Sequence, residues 1–199
     1  MHKLRFLNYI PLLLAAACSL PIACGSDDEG VPEDVRTGIS GNYFGTINCV
    51  CRLSLRDTLR VTSAASVSGK SLHIEALPVA AVVDSVLGKG TAAEDGITSV
   101  PFNMNYTLYN AGQAYYPMAY DPQPVSLTAE KNGQVHDITI YFAGKGSDFE
   151  WYYPQTHRIE MALTTKKILL DGEPVTGTAT YPDSIQDVVF RFPFILRKQ

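Results

Sequence analysis

A period of two along most of this 199-residue sequence constrains its fold more than any other feature. Near the C-terminus Val188, Phe190, Phe192, Phe194 and Leu196 fall on one face, with Arg191 and Arg197 on the other. Tyr43, Ile47, Cys49, Cys51, Leu53 and Leu55 share one parity from Gly41 onward. The same alternation runs through Leu72–Ala76, Phe102–Leu108, Val125–Ala129, Ile138–Phe142 and Ile159–Leu163. One apolar and one polar face per strand is the signature of an antiparallel sheet covering a core. Asn132-Gly133 and Asp171-Gly172 sit between such runs, where Asn-Gly and Asp-Gly make two-residue hairpins. Ser68-Gly69-Lys70-Ser71 is a third turn. One segment departs from the pattern. Val79, Val82, Val83, Val86 and Leu87 fall on one helical face, with Pro78 before it and Gly88 after it. The sequence thus predicts a mainly β protein, an antiparallel meander of about eight or nine strands. The meander forms a barrel or a two-sheet sandwich, with one short inserted helix near 79–87. Pro193 predicts an edge position or a bulge in the last strand.

The N-terminus has a different character. His2, Lys3 and Arg5 precede the apolar run Phe6–Ala17, which is too short for the ~20 residues that span a bilayer. A basic start, a short apolar stretch and small residues form an export signal. Ile22-Ala23-Cys24 resembles the lipobox of bacterial lipoproteins, in which the cysteine becomes the lipidated first residue. The motif departs from the usual Leu three residues before the cysteine, where Pro21 stands. Ala16-Ala17-Cys18 is a rival site, and an ordinary secretory signal is the plain alternative. Gly25-Ser26-Asp27-Asp28-Glu29-Gly30 has the composition of a flexible linker. The expected organisation is a lipoprotein signal peptide at 1–23, an acidic tether at 24–37 and a single β domain at 38–199. Cys24 would join the protein to the cell envelope, at the outer membrane or the cell surface. Cleavage before Cys24 removes Lys3 and Arg5 and no acid, taking the net charge from −4 to about −6. No basic surplus remains for nucleic acid or for an anionic membrane surface.

The small β domain behind a lipobox resembles the calycin-like (lipocalin-like) barrels of lipoproteins in gut Gram-negative bacteria. Ile74-Glu75-Ala76-Leu77-Pro78-Val79, a strand running into a Pro-Val helix, carries that resemblance. It implies a barrel over roughly 38–199 and assigns no catalytic residue. Asp57-Thr58-Leu59, Asp84-Ser85-Val86 and Asp183-Ser184-Ile185 resemble the short O-glycosylation sites of such bacteria.

Signs of catalysis are sparse. Neither G-x-S-x-G nor H-E-x-x-H occurs, and Gly69-Lys70-Ser71 lacks the upstream glycine of a phosphate-binding loop. No cofactor or metal is implied, since His73, His136 and His157 have no ligand spacing. Cys49 and Cys51 share a strand face and read as buried core thiols or as a bridged pair. Asp148 and Glu150 could serve a hydrolase, but carboxylates two apart on a loop are more simply solvated. The most distinctive feature is aromatic. Tyr115-Tyr116-Pro117 with Tyr120, and Trp151-Tyr152-Tyr153-Pro154, read as two stiff loops built alike. Such rings can stack on sugars or cover an apolar ligand, and they can equally pack a barrel end. The expectation is a non-enzymatic binding domain for a small apolar ligand or a glycan, contacted by Tyr115, Tyr116, Tyr120, Trp151, Tyr152 and Tyr153. The rival is a structural lipoprotein docking another envelope protein.

Overall fold

The computed structural model describes residues 30–51, 54–111, 114–143, 150–175 and 190–199. Eight strands form a closed antiparallel barrel: β1 (Gly41–Cys51), β2 (Ser54–Ser68), β3 (Ser71–Pro78), β4 (Ser99–Leu108), β5 (Tyr116–Pro122), β8 (Trp151–Tyr153), β9 (Arg158–Leu170) and β11 (Phe190–Lys198). β11 closes the wall by pairing with β1 on one side and β9 on the other. Of the two architectures left open by the alternation, the barrel is the one formed. Inward-facing Phe102, Met104, Tyr106 and Leu108 on β4, and Phe190, Phe192, Phe194 and Leu196 on β11, are all buried.

A second, smaller sheet branches from β9. The hairpin β6 (Val125–Lys131) and β7 (Gln134–Phe142) pairs with the C-terminal half of β9, and the two-residue β10 (Glu173–Pro174) pairs beside it. The turns are those expected. Asn132 and Gly133 have φ of 55° and 79°, and Asp171 and Gly172 have 52° and 86°, the left-handed pair of a tight hairpin. Phe142 reaches from this sheet to Phe102 and Phe192, with ring centroids 5.0 and 6.0 Å apart, and plugs one barrel end. Helix α2 (Ala80–Leu87) covers the same end and buries Val82 and Val83, as its periodicity predicts. The stretch after it contains one further turn of helix, α3 (Thr91–Glu94). There Asp95 accepts a hydrogen bond from the Glu130 backbone N–H, and Lys131 Nζ donates to Thr91 Oγ1 at 3.1 Å. These contacts cover β6, the outermost strand, where bare backbone would invite pairing with other chains.

The opposite end is closed by residues placed in the tether by composition. Helix α1 (Glu33–Gly38) follows Val31, and Val31, Val35 and Ile39 are buried in the core. The described part of the supposed tether, 30–37, is therefore packed against the barrel. Its polar residues hide a stripe at i, i+4 and i+8, which is one helical face. Tyr43 donates its hydroxyl to the Ile39 carbonyl at 2.6 Å, and Lys198 Nζ donates to the Gly38 carbonyl at 2.9 Å. Residues 1–29, with Cys18 and Cys24, lie outside the described residues.

Two local expectations are revised. Pro193 is in neither an edge strand nor an open sheet, because β11 is paired on both sides. Its missing N–H is accommodated by a lapse in the β1–β11 ladder between Ile47 and Val50. Cys49 and Cys51 do not continue one uninterrupted face either, because the β1–β2 register shifts between them. Cys49 is fully buried, and the Cys51 side chain lies outside the described residues.

Asp171 fixes the second hairpin to the branch sheet. Its carboxylate meets His136 Nδ1 at 2.7 Å and accepts the Asp137 N–H at 2.9 Å. The hydrogen bond with His136 is the main reason its pKa lies below the ordinary 3.8, and the Asp137 N–H adds to it. A depressed carboxyl pKa contributes stability above the unfolded value, which is lost as pH falls through the folded one. Asp171→Asn is therefore expected to lower Tm at pH 7 and to flatten its fall on acidification below about pH 4, so that the two curves converge at low pH. Thermal melts of both proteins from pH 6 to pH 2.5 would show it, and parallel curves would remove the role given to Asp171.

Candidate functional site: an aromatic groove on the outer wall

The two Tyr-Tyr-Pro segments are strands rather than loops, and they pair with each other. β5 and β8 run antiparallel with Tyr116 opposite Tyr152 and Pro117 opposite Trp151. Successive side chains of a strand point to opposite faces. The six aromatic residues expected to act together are consequently split by the barrel wall. Tyr116, Tyr120 and Tyr152 face inward and are buried, while Tyr115, Trp151 and Tyr153 lie on the outer face and are half-buried.

The inner group belongs to the core. Tyr43, Tyr120 and Tyr152 are among its largest fully buried side chains. Tyr106 donates to the Gly69 carbonyl at 2.8 Å, Tyr120 to Met118 Sδ at 3.0 Å, and Tyr152 lies 3.1 Å from His157 Nδ1. Burial raises the pKa of Tyr43 and Tyr120 far above the ordinary range, and that of Tyr152 to about 12. These hydroxyls stay neutral and serve as hydrogen-bonding groups. Glu150 was expected on a solvated loop, yet it is only 7% exposed. Its carboxylate helps raise the Tyr120 pKa, so it faces the same interior. Its partner in the hydrolase expectation, Asp148, lies outside the described residues. Large side chains thus line the described interior, with α2 and Phe142 at one end and α1 at the other.

Trp151 and Tyr153 of the outer group line a groove of about 350 Å³ built across β1, β11, β9 and β8, with Tyr115 packed behind Trp151. The register explains its shape. Trp151 stands opposite Glu160, Glu160 opposite Ile195 and Ile195 opposite Thr46, which makes one row across four strands. One row further along, β9 and β11 present Ala162 and Pro193, which are opposite each other. Neither has a long side chain, so the surface formed by β9 and β11 dips there. Asn48 and Arg191 complete the rim.

The aromatic wall is held rigid. Tyr115 meets Trp151 edge to face, with centroids 4.6 Å apart and planes at 79°, and lies 6.2 Å from Tyr153. Arg158 lies over the Tyr153 ring at 4.4 Å and pairs with Glu160 at 3.1 Å, and the Tyr153 hydroxyl donates to Glu160 at 3.3 Å. Such contacts fix ring orientation before any ligand arrives, which lowers the entropy lost on binding. Sequence reasoning found the aromatic half of this site. It missed Asn48, Glu160 and Arg191, which come from segments distant in the chain and lie on the polar faces of their strands.

Other candidates are placed as well. Gly69-Lys70 turns the β2–β3 hairpin. Asp84 accepts the Ala92 N–H and Ser85 donates to the Val82 carbonyl, so both polar groups of that O-glycosylation-like triplet are engaged in helical structure. The Asp57 side chain and Asp183–Ile185 lie outside the described residues. Among the described residues no group of three His, Cys, Asp or Glu is placed to hold a metal ion.

Fold and groove together define a closed eight-stranded antiparallel barrel with an aromatic-walled, partly polar groove on its outer face. A family model described as a domain of unknown function, DUF4840, matches residues 38–170, and the chain belongs to that family. No curated protein and no solved structure matches it.

Proposed function

We propose that the protein is a lipid-anchored domain of the cell envelope that binds glycan in the outer groove and catalyses no reaction. The observation that carries this reading is the groove itself. A sugar ring offers an apolar C–H face and a rim of hydroxyls. Trp151 supplies a flat apolar wall, and Asn48, Glu160 and Arg191 supply polar groups within the same 350 Å³. An apolar ligand in the barrel interior is the less supported half of that expectation, because the described inward-facing side chains are large and buried against one another. The anchor at Cys24 is supported by the lipobox-like Ile22-Ala23-Cys24 behind an export signal.

In calorimetric titrations with neutral manno- and chito-oligosaccharides, Trp151→Ala should weaken binding by about 2 kcal/mol, roughly thirty-fold in Kd. Val135→Ser, on an exposed strand position away from the groove, should bind as the native chain does. Equal heats for Trp151→Ala and the native protein, or no heat with any sugar, would refute the glycan reading. One observation favours a second reading, docking of an envelope protein. Phe44 and Ile195 are 47% and 44% exposed on the outer face of the paired strands β1 and β11, and Ile195 itself lines the groove. A stoichiometric partner in a pull-down from detergent-solubilised membranes, lost in Phe44→Ser, would support it.

A further inference from the structure

We infer that the α1-capped end of the barrel faces the phospholipid surface, held there at short range, so that the aromatic groove opens beside the membrane. The inference rests on the anchor proposed at Cys24. The chain is fixed from Val31 onward, because Val31, Val35 and Ile39 are buried and the Tyr43 and Lys198 hydrogen bonds hold the backbone after α1. Only seven peptide steps separate Cys24 from Val31. Fully extended, they reach at most about 23–25 Å. That is shorter than the barrel wall, whose 11-residue β1 would span roughly 36 Å at ~3.3 Å per residue. A domain on so short a lead cannot present its far end, with α2 and the β6–β7 hairpin, to the bilayer as readily as its near end.

The near end also has suitable chemistry. Tyr109 is 41% exposed at the end of β4, and its neighbour Asn110 lies against Gly30, where the described chain begins. Tyr115, Trp151 and Tyr153 flank the same end, since the turn between β8 and β9 closes there beside Gly38. Tyr and Trp favour the interfacial zone, where one side of the ring is wet and the other apolar. In sequence, the lead carries the acids Asp27, Asp28 and Glu29, and α1 carries Glu33 and Asp34. They oppose attraction to anionic lipid, so the contact is set by the lead and the aromatic residues, and it should be present on uncharged vesicles.

The test uses the full lipidated chain in phosphatidylcholine vesicles containing a dansyl-labelled headgroup lipid. Trp151 is the only tryptophan and reports from the near end. A Trp151→Phe, Tyr141→Trp chain reports from the branch sheet, where Tyr141 pairs with Lys167 at the far end. Energy transfer to dansyl should be at least threefold greater from Trp151. It should fall at least twofold when a 20-residue Gly/Ser spacer is inserted after Ser26. Flotation of the vesicles reports the anchor separately. A chain that floats but transfers equally from both reporters, or more from position 141, overturns the orientation alone. A chain that does not float overturns the anchor and the orientation together. Matching melting curves for the two reporter chains would exclude misfolding as the cause.

Discussion

A chain ending at Val175 is expected to show no cooperative unfolding transition. It retains the whole family match at 38–170, and it lacks only one described strand, β11. That strand pairs with both β1 and β9 and buries Phe190, Phe192, Phe194 and Leu196. At about 1.5–3 kcal/mol for each buried side chain, the loss is on the order of 6–12 kcal/mol. Natural domains hold a net stability of only about 5–15 kcal/mol, so the deletion consumes most or all of it. Urea titration followed by near-ultraviolet circular dichroism would show a featureless drift in place of a sigmoid. A sigmoid with the native midpoint would mean that the barrel does not depend on its last strand. The limits of the family match are thus not the limits of the folding unit, at its end or at its start, where Val31 and Val35 precede residue 38 or lie within α1.

Gly45→Ala should be the most damaging single-methyl change in the wall. Gly45 lies in β1 opposite Leu196, where β1 and β11 close the barrel. A Cβ there would overlap the Ile195 carbonyl oxygen and come within 2.9 Å of the Leu196 Cα. Both are backbone atoms of a paired strand, so neither can swing aside, and the seam itself must part. We expect a loss of about 3 kcal/mol, at the upper end for overpacking, and a Tm lower by about 10 °C. Gly69→Ala is the comparison. Its Cβ would meet nothing within 4 Å, so only the positive φ of 59° should penalise it. A Gly45→Ala melt coincident with the native one would show that the seam is looser than described.

Where the chain uses local rules, the sequence could be read. Alternation is strict on β4 and β11 because one face of each meets the core and the other meets water. The Asn-Gly and Asp-Gly hairpins were legible because only residues tolerant of positive φ fit there. The valine stripe of α2 was legible at a period of 3.6. Closure was not, since pairing Tyr43 with Lys198 leaves no mark in either local pattern. Nor was the length of β9, whose two halves serve different sheets and look like two runs. At the site, the repeated Tyr-Tyr-Pro drew attention to the right residues for a partly mistaken reason. Had Tyr115-Tyr116 and Tyr152-Tyr153 been read as strands, period two would have separated Tyr115, Trp151 and Tyr153 from Tyr116, Tyr120 and Tyr152. Glu150 could not be placed, because burial of a carboxylate depends on neighbours such as Tyr120 from elsewhere in the chain.

The seam between the first and last strands also governs how quickly this protein can fold. Contacts between residues some 150 apart come late, because a long loop must be closed before they return any energy. A chain emerging N-terminus first can assemble β2 to β4 early, but β1 and β9 keep open edges until the final ten residues arrive. Refolding should therefore be slow for the chain's size, with a sticky, ring-open species on the way. Under the export proposed above, that delay would be an advantage: the step that completes the barrel waits until the whole chain has been delivered.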